Sequence, residues 1–226
     1  MFNVSKDFED YALSYSGHNG GDINGKYWFC GIEPGAELLD FQNIKPITEI
    51  PDCNLYNSWQ ISHKVAHLIR DINPKLPKDA TYKEAGWFFA NLYPLAFPKF
   101  ENAYWKNEHT DYTGFFTKDE YKIWCQKYRF LELRKMIQSG QSKTIVCSGT
   151  GCRNDFLLAF YPQDKIRYIL FSKNRNIVNI SNGNKPKNIE IIDVNSDNVM
   201  KIIITPFFGQ WGMNNTEEIK KISQYL

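Results

Sequence analysis

The stretch that decides the fold reads Tyr27-Trp28-Phe29-Cys30-Gly31-Ile32-Glu33-Pro34-Gly35. Its first half predicts a strand over residues 26–32, because a continuous apolar run is typical of a central strand that is covered on both faces. The Gly-Ile-Glu-Pro-Gly half predicts a tight turn, since glycine permits positive φ and proline cannot continue a sheet ladder. The carboxyl group of Glu33 is therefore expected at the carboxyl end of a buried strand, where ligands bind in open α/β sheets.

The rest of the chain alternates between segments typical of strands and segments typical of helices. Further strands are predicted at 86–92, 143–148 and 201–205, and helices at 5–16, 54–71, 118–138 and 152–160. Residues 166–171 and 189–193 are apolar and β-branched, and the polar segment 173–188 between them predicts a hairpin or a flexible loop. Thr216 is the predicted cap of a final helix that runs to residue 226. This alternation predicts one α/β domain over 1–226, a three-layer α/β/α sandwich with a central, mainly parallel sheet.

The composition of the chain limits the classes of function that we expect. The 226 residues are 42% hydrophobic and 15% aromatic, enough for a full core, and the net charge of +2 neither requires nor excludes a nucleic-acid partner. Five cysteines without a C-x-x-C pair are typical of reduced thiols, so we expect no metal site. The first ten residues lack the pattern of a signal peptide, and no apolar run approaches the roughly 20 residues of a membrane helix. We therefore expect a cytoplasmic protein without membrane contact, and a monomer.

Polar and glycine-rich segments follow the predicted strands. Glu33, Asn91 and the pair Thr205–Pro206 each come at the end of a strand, and the turn Gly149–Gly151 follows another. Because the carboxyl ends of parallel strands meet at one edge of a sheet, these segments are expected to form one site. Glu33 is the predicted acid or base, and Asn91 is a neutral amide that both donates and accepts hydrogen bonds.

Two of these motifs resemble those of a known enzyme superfamily. The turn Gly31-Ile32-Glu33-Pro34-Gly35 and the strand end Asn91-Leu92-Tyr93-Pro94-Leu95 are similar to motifs of the uracil-DNA glycosylases, most closely the single-strand-selective monofunctional type. The segment Ser148–Gly151 resembles the strand–glycine–helix connection of that superfamily. The resemblance covers the order of elements across most of 26–215. It implies a uracil-DNA glycosylase-like fold and hydrolysis of the N-glycosidic bond of uracil, or of a related damaged base, in DNA.

The resemblance also implies roles for individual residues and no cofactor. Glu33 and Asn91 would be catalytic, and Asn91 would read the base edge while Phe41 or Phe97 stacks on the base. Backbone groups at Gly35 or at Gly149–Gly151 would hold a phosphate or the departing base. The full set expected to contact DNA, or to shape the backbone beside it, is Gly31, Pro34, Gly35, Gly149, Gly151, Thr205, Pro206, Gln210, Trp211 and Asn214.

The chain departs from the superfamily pattern at two places. The last motif of the superfamily usually reads His-Pro-Ser, whereas this chain has Thr205-Pro206-Phe207, and Glu33 stands where Asn or Asp is common. The missing histidine motivates a second hypothesis, a catalytically silent protein that binds nucleic acid or a free base. The modest net charge motivates a third, a hydrolase of free nucleosides or nucleotides.

Structural roles compete with the functional ones at each residue. Glu33 could simply cap the following turn, and Asn91 could satisfy local backbone. Gly149–Gly151 could be only a tight strand–helix turn, because it lacks the pattern of a P-loop. His63 and His67 are spaced four apart on a helix, but without the Glu of H-E-x-x-H they are expected to form its polar flank. Trp211 could belong to the core or to a lid.

Overall fold

The computed structural model describes residues 3–34, 41, 44–56, 60–97, 104–163, 175–181, 185–209, 212–213 and 215–226. Within these ranges the helices are α1 (Lys6–Ala12), α2 (Gln60–Ile72), α3 (Asn107–Thr113), α4 (Lys118–Lys127), α5 (Arg129–Ile137), α6 (Arg153–Phe160) and α7 (Thr216–Ser223). The strands are β1 (Gly20–Gly21), β2 (Tyr27–Gly31), β3 (Trp87–Asn91), β4 (Lys143–Ser148), β5 (Arg175–Asn179), β6 (Asn188–Asp193) and β7 (Val199–Thr205). A 3₁₀ turn, Thr150–Cys152, precedes α6.

The described strands form one mixed sheet in the order β1-β3-β2-β4-β7-β6-β5. Its centre is parallel, because β2 pairs in parallel with both β3 and β4, and β4 pairs in parallel with β7. The edges are antiparallel, through β1 on one side and through β6 and β5 on the other. The predicted α/β class with a parallel central sheet is thus confirmed, and four of the predicted strands form the parallel centre.

Successive residues of the central strands enter two different hydrophobic clusters. Trp28 and Cys30 of β2 pack in one cluster with side chains of α1, α4, α5 and α6, whereas Phe29 packs in the other with side chains of α2 and α7. This alternation follows from the two-residue side-chain period of a strand. Both clusters are apolar, which explains why the central strands read as continuous hydrophobic runs rather than as alternating ones.

Three predicted helices differ from the structure. The helix expected at 118–138 is two helices, α4 and α5, because the backbone leaves helical geometry at Tyr128, with φ −114° and ψ −52°. The helix expected at 5–16 ends at Ala12. The helix expected at 54–71 does not begin at Asn54, because Asn54 forms an isolated β-bridge with Thr81 and residues 55–56 form a turn. Residues 57–59 lie outside the described residues, and α2 runs from Gln60 to Ile72, just before Asn73-Pro74 as predicted.

Other differences arise from short polar segments. α3 lies in a segment for which no helix was predicted, and its inward face carries His109 and Thr113 instead of an apolar stripe. The strand β5 supplies the hairpin predicted within 173–188, while residues 166–171 lie outside the described residues. The cap of α7 is Asn215, whose side chain accepts a hydrogen bond from the Glu217 backbone, and Thr216 is the first helical residue. No helix of the described ranges has both the length and the apolar character that a membrane crossing requires.

Candidate functional site

The strand order defines a crevice at the carboxyl ends of β2 and β4. The chain passes from β2 to β3 on one side, and from β4 towards β7 on the other, although β2 and β4 are neighbours. In doubly wound sheets, ligands bind at such a switch point. β2 ends at Gly31 and β4 ends at Ser148, so the turn of Glu33 and the turn of Gly149 border this crevice.

The turn that carries Glu33 is tied to the segment that follows β3. Backbone hydrogen bonds run from Leu92 N to Gly31 O (3.1 Å) and from Tyr93 N to Ile32 O (2.9 Å). These bonds extend the parallel pairing of β2 and β3 past the ends of both strands. Glu33 follows directly, with only 7% of its side chain exposed.

Glu33 contacts a lysine that sequence reasoning did not select. Lys118 Nζ lies 3.3 Å from Glu33 Oε2, and the lysine side chain is fully buried. Burial raises the pKa of Glu33 to about 7, and the positive charge of Lys118 limits the rise. Burial likewise lowers the pKa of Lys118, against the opposing effect of the Glu33 carboxylate. A carboxyl group that titrates near neutrality is suited to proton transfer at physiological pH.

The position of Lys118 is set by the start of α4. The Thr117 hydroxyl caps the helix by accepting a hydrogen bond from Glu120 N (3.2 Å). The Glu120 carboxylate in turn accepts a hydrogen bond from Thr117 N (3.3 Å), and the two bonds together form a capping box. Lys118 is therefore the first residue of a well-anchored helix. Its ammonium group lies 3.5 Å from the centre of the Phe97 ring, a cation–π contact.

The two aromatic residues predicted to stack on a base belong to one aromatic cluster. The Phe97 ring is buried and stacks on His109, with ring centres 5.0 Å apart and planes at 11°. Phe41 stacks on Tyr112 (5.0 Å, 29°) and meets His109 edge to face (5.0 Å, 71°). Phe97 thus contacts protein side chains and supports Lys118, while the half-buried Phe41 lies on the other side of His109.

Asn91 is held firmly at the end of β3. It pairs with Gly31 across the strands, and its Oδ1 atom lies so close that a Cβ on Gly31 would approach it to 2.3 Å. Its side-chain nitrogen donates to Gly17 O (2.6 Å), and its backbone N–H donates to Nδ1 of the buried His18 (3.0 Å). One of the two amide hydrogens of Asn91 is therefore used inside the protein.

Arg129 fixes the same strand end and was also missed by sequence reasoning. Its buried guanidinium donates to the carbonyl groups of Leu92 (3.0 Å), Ala12 and Ser16 (3.0 Å), and a longer contact reaches Asn91 O (3.4 Å). Five N–H donors in a rigid fork suit this set of backbone acceptors. Arg129 thereby joins the end of α1 and the loop after it to the end of β3.

The turn after β4 packs directly on the turn of Glu33. Gly149 has φ +127°, and a Cβ there would lie 2.7 Å from Cδ1 of Ile32, so both conformation and space require glycine. Gly149 N donates to Thr205 O (2.9 Å), which connects this turn to the end of β7. Gly151 is exposed, and a Cβ there would meet no atom within 4 Å.

Thr205 was predicted to contact DNA or to shape the backbone beside it. The Thr205 side chain is buried, and its hydroxyl donates to carbonyl oxygens of Cys147 (3.1 Å) or Pro206 (3.0 Å). Pro206 and Pro34 are half-buried in their turns. Gly35, Gln210, Trp211 and Asn214, which were predicted to contact DNA, lie outside the described residues.

Two signals in the sequence point to the missed residues. Lys118 is the first residue of a helix, where the helix dipole disfavours a cation. A lysine there therefore indicates a role other than stabilising the helix. Arg129 occupies the same helical face as Leu133 and Ile137, which are buried, so the spacing indicates that its charge faces the core. The remaining described residues offer no group of three or more His, Cys, Asp and Glu side chains placed to hold a metal ion.

Comparisons of the chain with protein-family models, with curated proteins and with solved structures each found no match.

Proposed function

We propose that this protein is a DNA glycosylase that hydrolyses the N-glycosidic bond of uracil, or of a related damaged base, in DNA. In this proposal the sheet is the middle of a three-layer α/β/α sandwich of the uracil-DNA glycosylase type. The two separate core clusters support the layering, because α2 and α7 contribute to one, and α1, α4, α5 and α6 to the other. The residues of the switch point support the chemistry.

The observation that carries the proposal is the place and the environment of Glu33. Its carboxyl group follows the strand at the switch point, its side chain is only 7% exposed, and it titrates near pH 7. Burial also strengthens the electrostatic effect of its charge, since the surroundings are less polarisable than water. A general base for hydrolysis at neutral pH needs such a group.

The reaction follows from that carboxylate. As the bond between the sugar C1′ and the base nitrogen breaks, positive charge develops on the sugar, as in other glycoside hydrolyses. The carboxylate of Glu33 stabilises this charge and accepts a proton from the water that attacks C1′. The base leaves with the electron pair of the broken bond and is then protonated. No cofactor is required for any of these steps.

The neighbouring residues position the reacting groups. One amide hydrogen of Asn91 donates to the carbonyl oxygen of Gly17, and the other donates to the edge of the extruded base. The glycine turn after β4 brings backbone close to the turn of Glu33. Because Gly149 N already donates to Thr205 O, the N–H groups of residues 150–151 are those that would hold a phosphate or the negative charge of the departing base. The partner in this proposal is DNA that is single-stranded or locally opened, because the target base must leave the stack.

A second candidate function is binding of nucleic acid or a free base without catalysis. The observation that favours it is the environment of Thr205. Its hydroxyl is buried and donates to backbone carbonyls, so it does not replace the proton-donating and charge-stabilising ability of a histidine. Under this candidate Glu33 would serve recognition alone.

The deciding experiment compares base release by the wild type and by Glu33→Gln. End-labelled oligonucleotides, single-stranded and duplex, each carry one uracil, and alkali then cleaves the strand wherever a base has been lost. The matched control is Glu218→Gln, because Glu218 is a buried carboxylate that also pairs with a lysine, Lys187, at 2.7 Å. It lies on α7, which packs in the other core cluster.

We expect cleavage at the uracil with the wild type and with Glu218→Gln, and its loss with a folded Glu33→Gln. Equal cleavage by Glu33→Gln contradicts the assignment of the carboxylate. Retained, salt-sensitive affinity for the oligonucleotides without cleavage of any damaged base supports the second candidate. Release of bases from free nucleosides, without affinity for oligonucleotides, contradicts both and indicates a nucleoside hydrolase.

A further inference from the structure

Lys118 is a buried cation that contacts both Glu33 and Phe97. Its ammonium group lies 3.3 Å from Glu33 Oε2 and 3.5 Å from the centre of the Phe97 ring. Phe97 is in turn stacked on His109 of α3. The side chains from His109 through Phe97 and Lys118 therefore form a continuous row of contacts that ends at the carboxyl group of Glu33.

Stability alone does not explain a lysine at this position. Burying an ion pair is often no better for stability than an apolar pair of similar volume, because each charge loses its water. A lysine in the first turn of a helix is also disfavoured by the helix dipole. The Phe97 ring beside the ammonium group belongs to an apolar cluster. An effect on Glu33 is a reason for a cation at this place.

Among the residues that the structure describes, the charges that face Glu33 come mainly from one helix. Lys118 and, more weakly, Lys122 of α4 favour its ionised form, and burial opposes it. The other titratable groups of the described ranges that interact with Glu33 are Tyr121 of α4 and Cys152 of the 3₁₀ turn, and burial raises the pKa of both above their usual values. Both are therefore neutral at pH 7, so Lys118 is the main charge of the described residues that favours the ionised form of Glu33.

We propose that Lys118 is a positioning residue that keeps the Glu33 carboxylate ionised and oriented at neutral pH, and that the Phe97 ring holds its ammonium group in place. This inference rests on the proposed function for its link to catalysis. Its physical content, the control of the ionisation of Glu33 by Lys118, is measurable without any activity. Phe97 then acts as the support of the lysine instead of the platform for a base.

The test follows the Glu33 carboxyl carbon by ¹³C NMR between pH 5 and 11, with the signal assigned by its absence in Glu33→Gln. In Lys118→Met we expect the titration midpoint to rise by about one to three pH units, because a contacting opposite charge is lost. Lys118→Arg keeps the charge and should restore most of the wild-type midpoint. Lys122→Met is the control from the same helix, with a smaller rise.

Phe97→Leu provides a second test that leaves both charges in place. We expect a smaller rise of the Glu33 midpoint, since the ammonium group loses its aromatic support. A Glu33 midpoint that neither Lys118→Met nor Phe97→Leu moves overturns the inference. If Lys118→Met does not fold, the Glu33 midpoint in Phe97→Leu decides, with Lys118→Arg as the variant that keeps the charge. An unchanged midpoint in Phe97→Leu overturns the inference, and a rise supports it.

Excision assays then separate this inference from the proposed function. In Lys118→Met we expect base release at pH 7 to fall by about fivefold or more and to recover as the pH rises, since the carboxylate forms only at higher pH. A loss that is equal at every pH contradicts the positioning role. Absence of release by the wild type overturns the proposed function, while the NMR titration still decides the ionisation of Glu33.

Discussion

Lys118 Nζ lies 3.3 Å from Oε2 of Glu33, and the two side chains are 0% and 7% exposed. One charge follows a central strand and the other opens a helix, so the pair forms only when α4 packs against the carboxyl end of β2. This contact joins the fold to the proposed chemistry. It places an ionisable group that titrates near neutrality at the crevice where an α/β sheet binds its ligands.

Removing one member of the pair should cost more than removing both. Glu33→Gln leaves the buried Lys118 ammonium group without its partner, and we expect it to lower the free energy of unfolding by about 3–5 kcal/mol. Lys118→Met should also lower it, but by less, because Glu33 then holds a proton at pH 7 and no unpaired charge is buried. The free energy of unfolding of the double variant should be much closer to that of the wild type than the sum of the two single losses predicts. Urea unfolding at pH 7 measures this, and additive losses would show that the two groups do not interact.

The stability contributed at Glu33 should fall as the pH rises. The pKa of its carboxyl group is about 7 in the folded protein and about 4.5 when exposed, so the folded state holds the proton more strongly between these values. The free energy of unfolding therefore decreases from pH 4.5 to 7, relative to the variant Glu33→Gln/Lys118→Met. Parallel unfolding curves for the two proteins across this range would contradict a raised pKa.

The stability of the fold should decrease even when Arg129 is replaced by lysine. Arg129→Met leaves the buried carbonyl groups of Leu92 and Ser16 without their donor, and we expect a loss of about 3–5 kcal/mol. Arg129→Lys should recover only part of this, because one ammonium group cannot reach acceptors on both α1 and β3. Thermal unfolding checks the order of the variants. An Arg129→Lys protein as stable as the wild type would show that the fork is not needed.

Two neighbouring glycines provide a matched pair. Gly149→Ala introduces a Cβ at φ +127° and 2.7 Å from Ile32, and we expect a loss of about 1–3 kcal/mol. Gly151→Ala meets no atom within 4 Å, so its stability should be equal to or slightly above that of the wild type. Equal melting temperatures for the two variants would contradict the geometry of this turn.

Glu190 should contribute stability that is lost in acid. It pairs with Arg153 at the start of α6 and with Arg175 of β5. Burial alone raises its pKa, but the hydrogen bonds from the two arginines outweigh burial and leave the pKa below 4.5. Glu190→Gln should therefore cost about 1.5–3 kcal/mol at pH 7. The difference from the wild type should shrink as the pH falls below 4.5, which urea unfolding at pH 3 and pH 7 would show.

Sequence reasoning predicted the features that depend on local pattern. The strand of Trp28 and Phe29 and the turn of Glu33 follow from neighbouring residues, because burial on both faces and a glycine–proline turn leave direct marks in the sequence. The parallel centre of the sheet followed from the alternation of strands and helices.

Features that depend on tertiary contacts were harder to predict. The partner of Glu33 is Lys118, distant along the chain, and only its unusual place at a helix start marks it. α3 escaped prediction because its buried face carries His109 and Thr113 instead of apolar residues. Its contacts come from the aromatic cluster, which forms only after the chain has folded.

The most direct test of the account is the rate of uracil release from a single-stranded oligonucleotide between pH 5 and 9, under single-turnover conditions. With the wild type, the account predicts release that increases with pH through a midpoint near 7, the pKa of Glu33, and no comparable release by folded Glu33→Gln. Release by Glu33→Gln at the wild-type rate, or no release of any damaged base by the wild type, would contradict it.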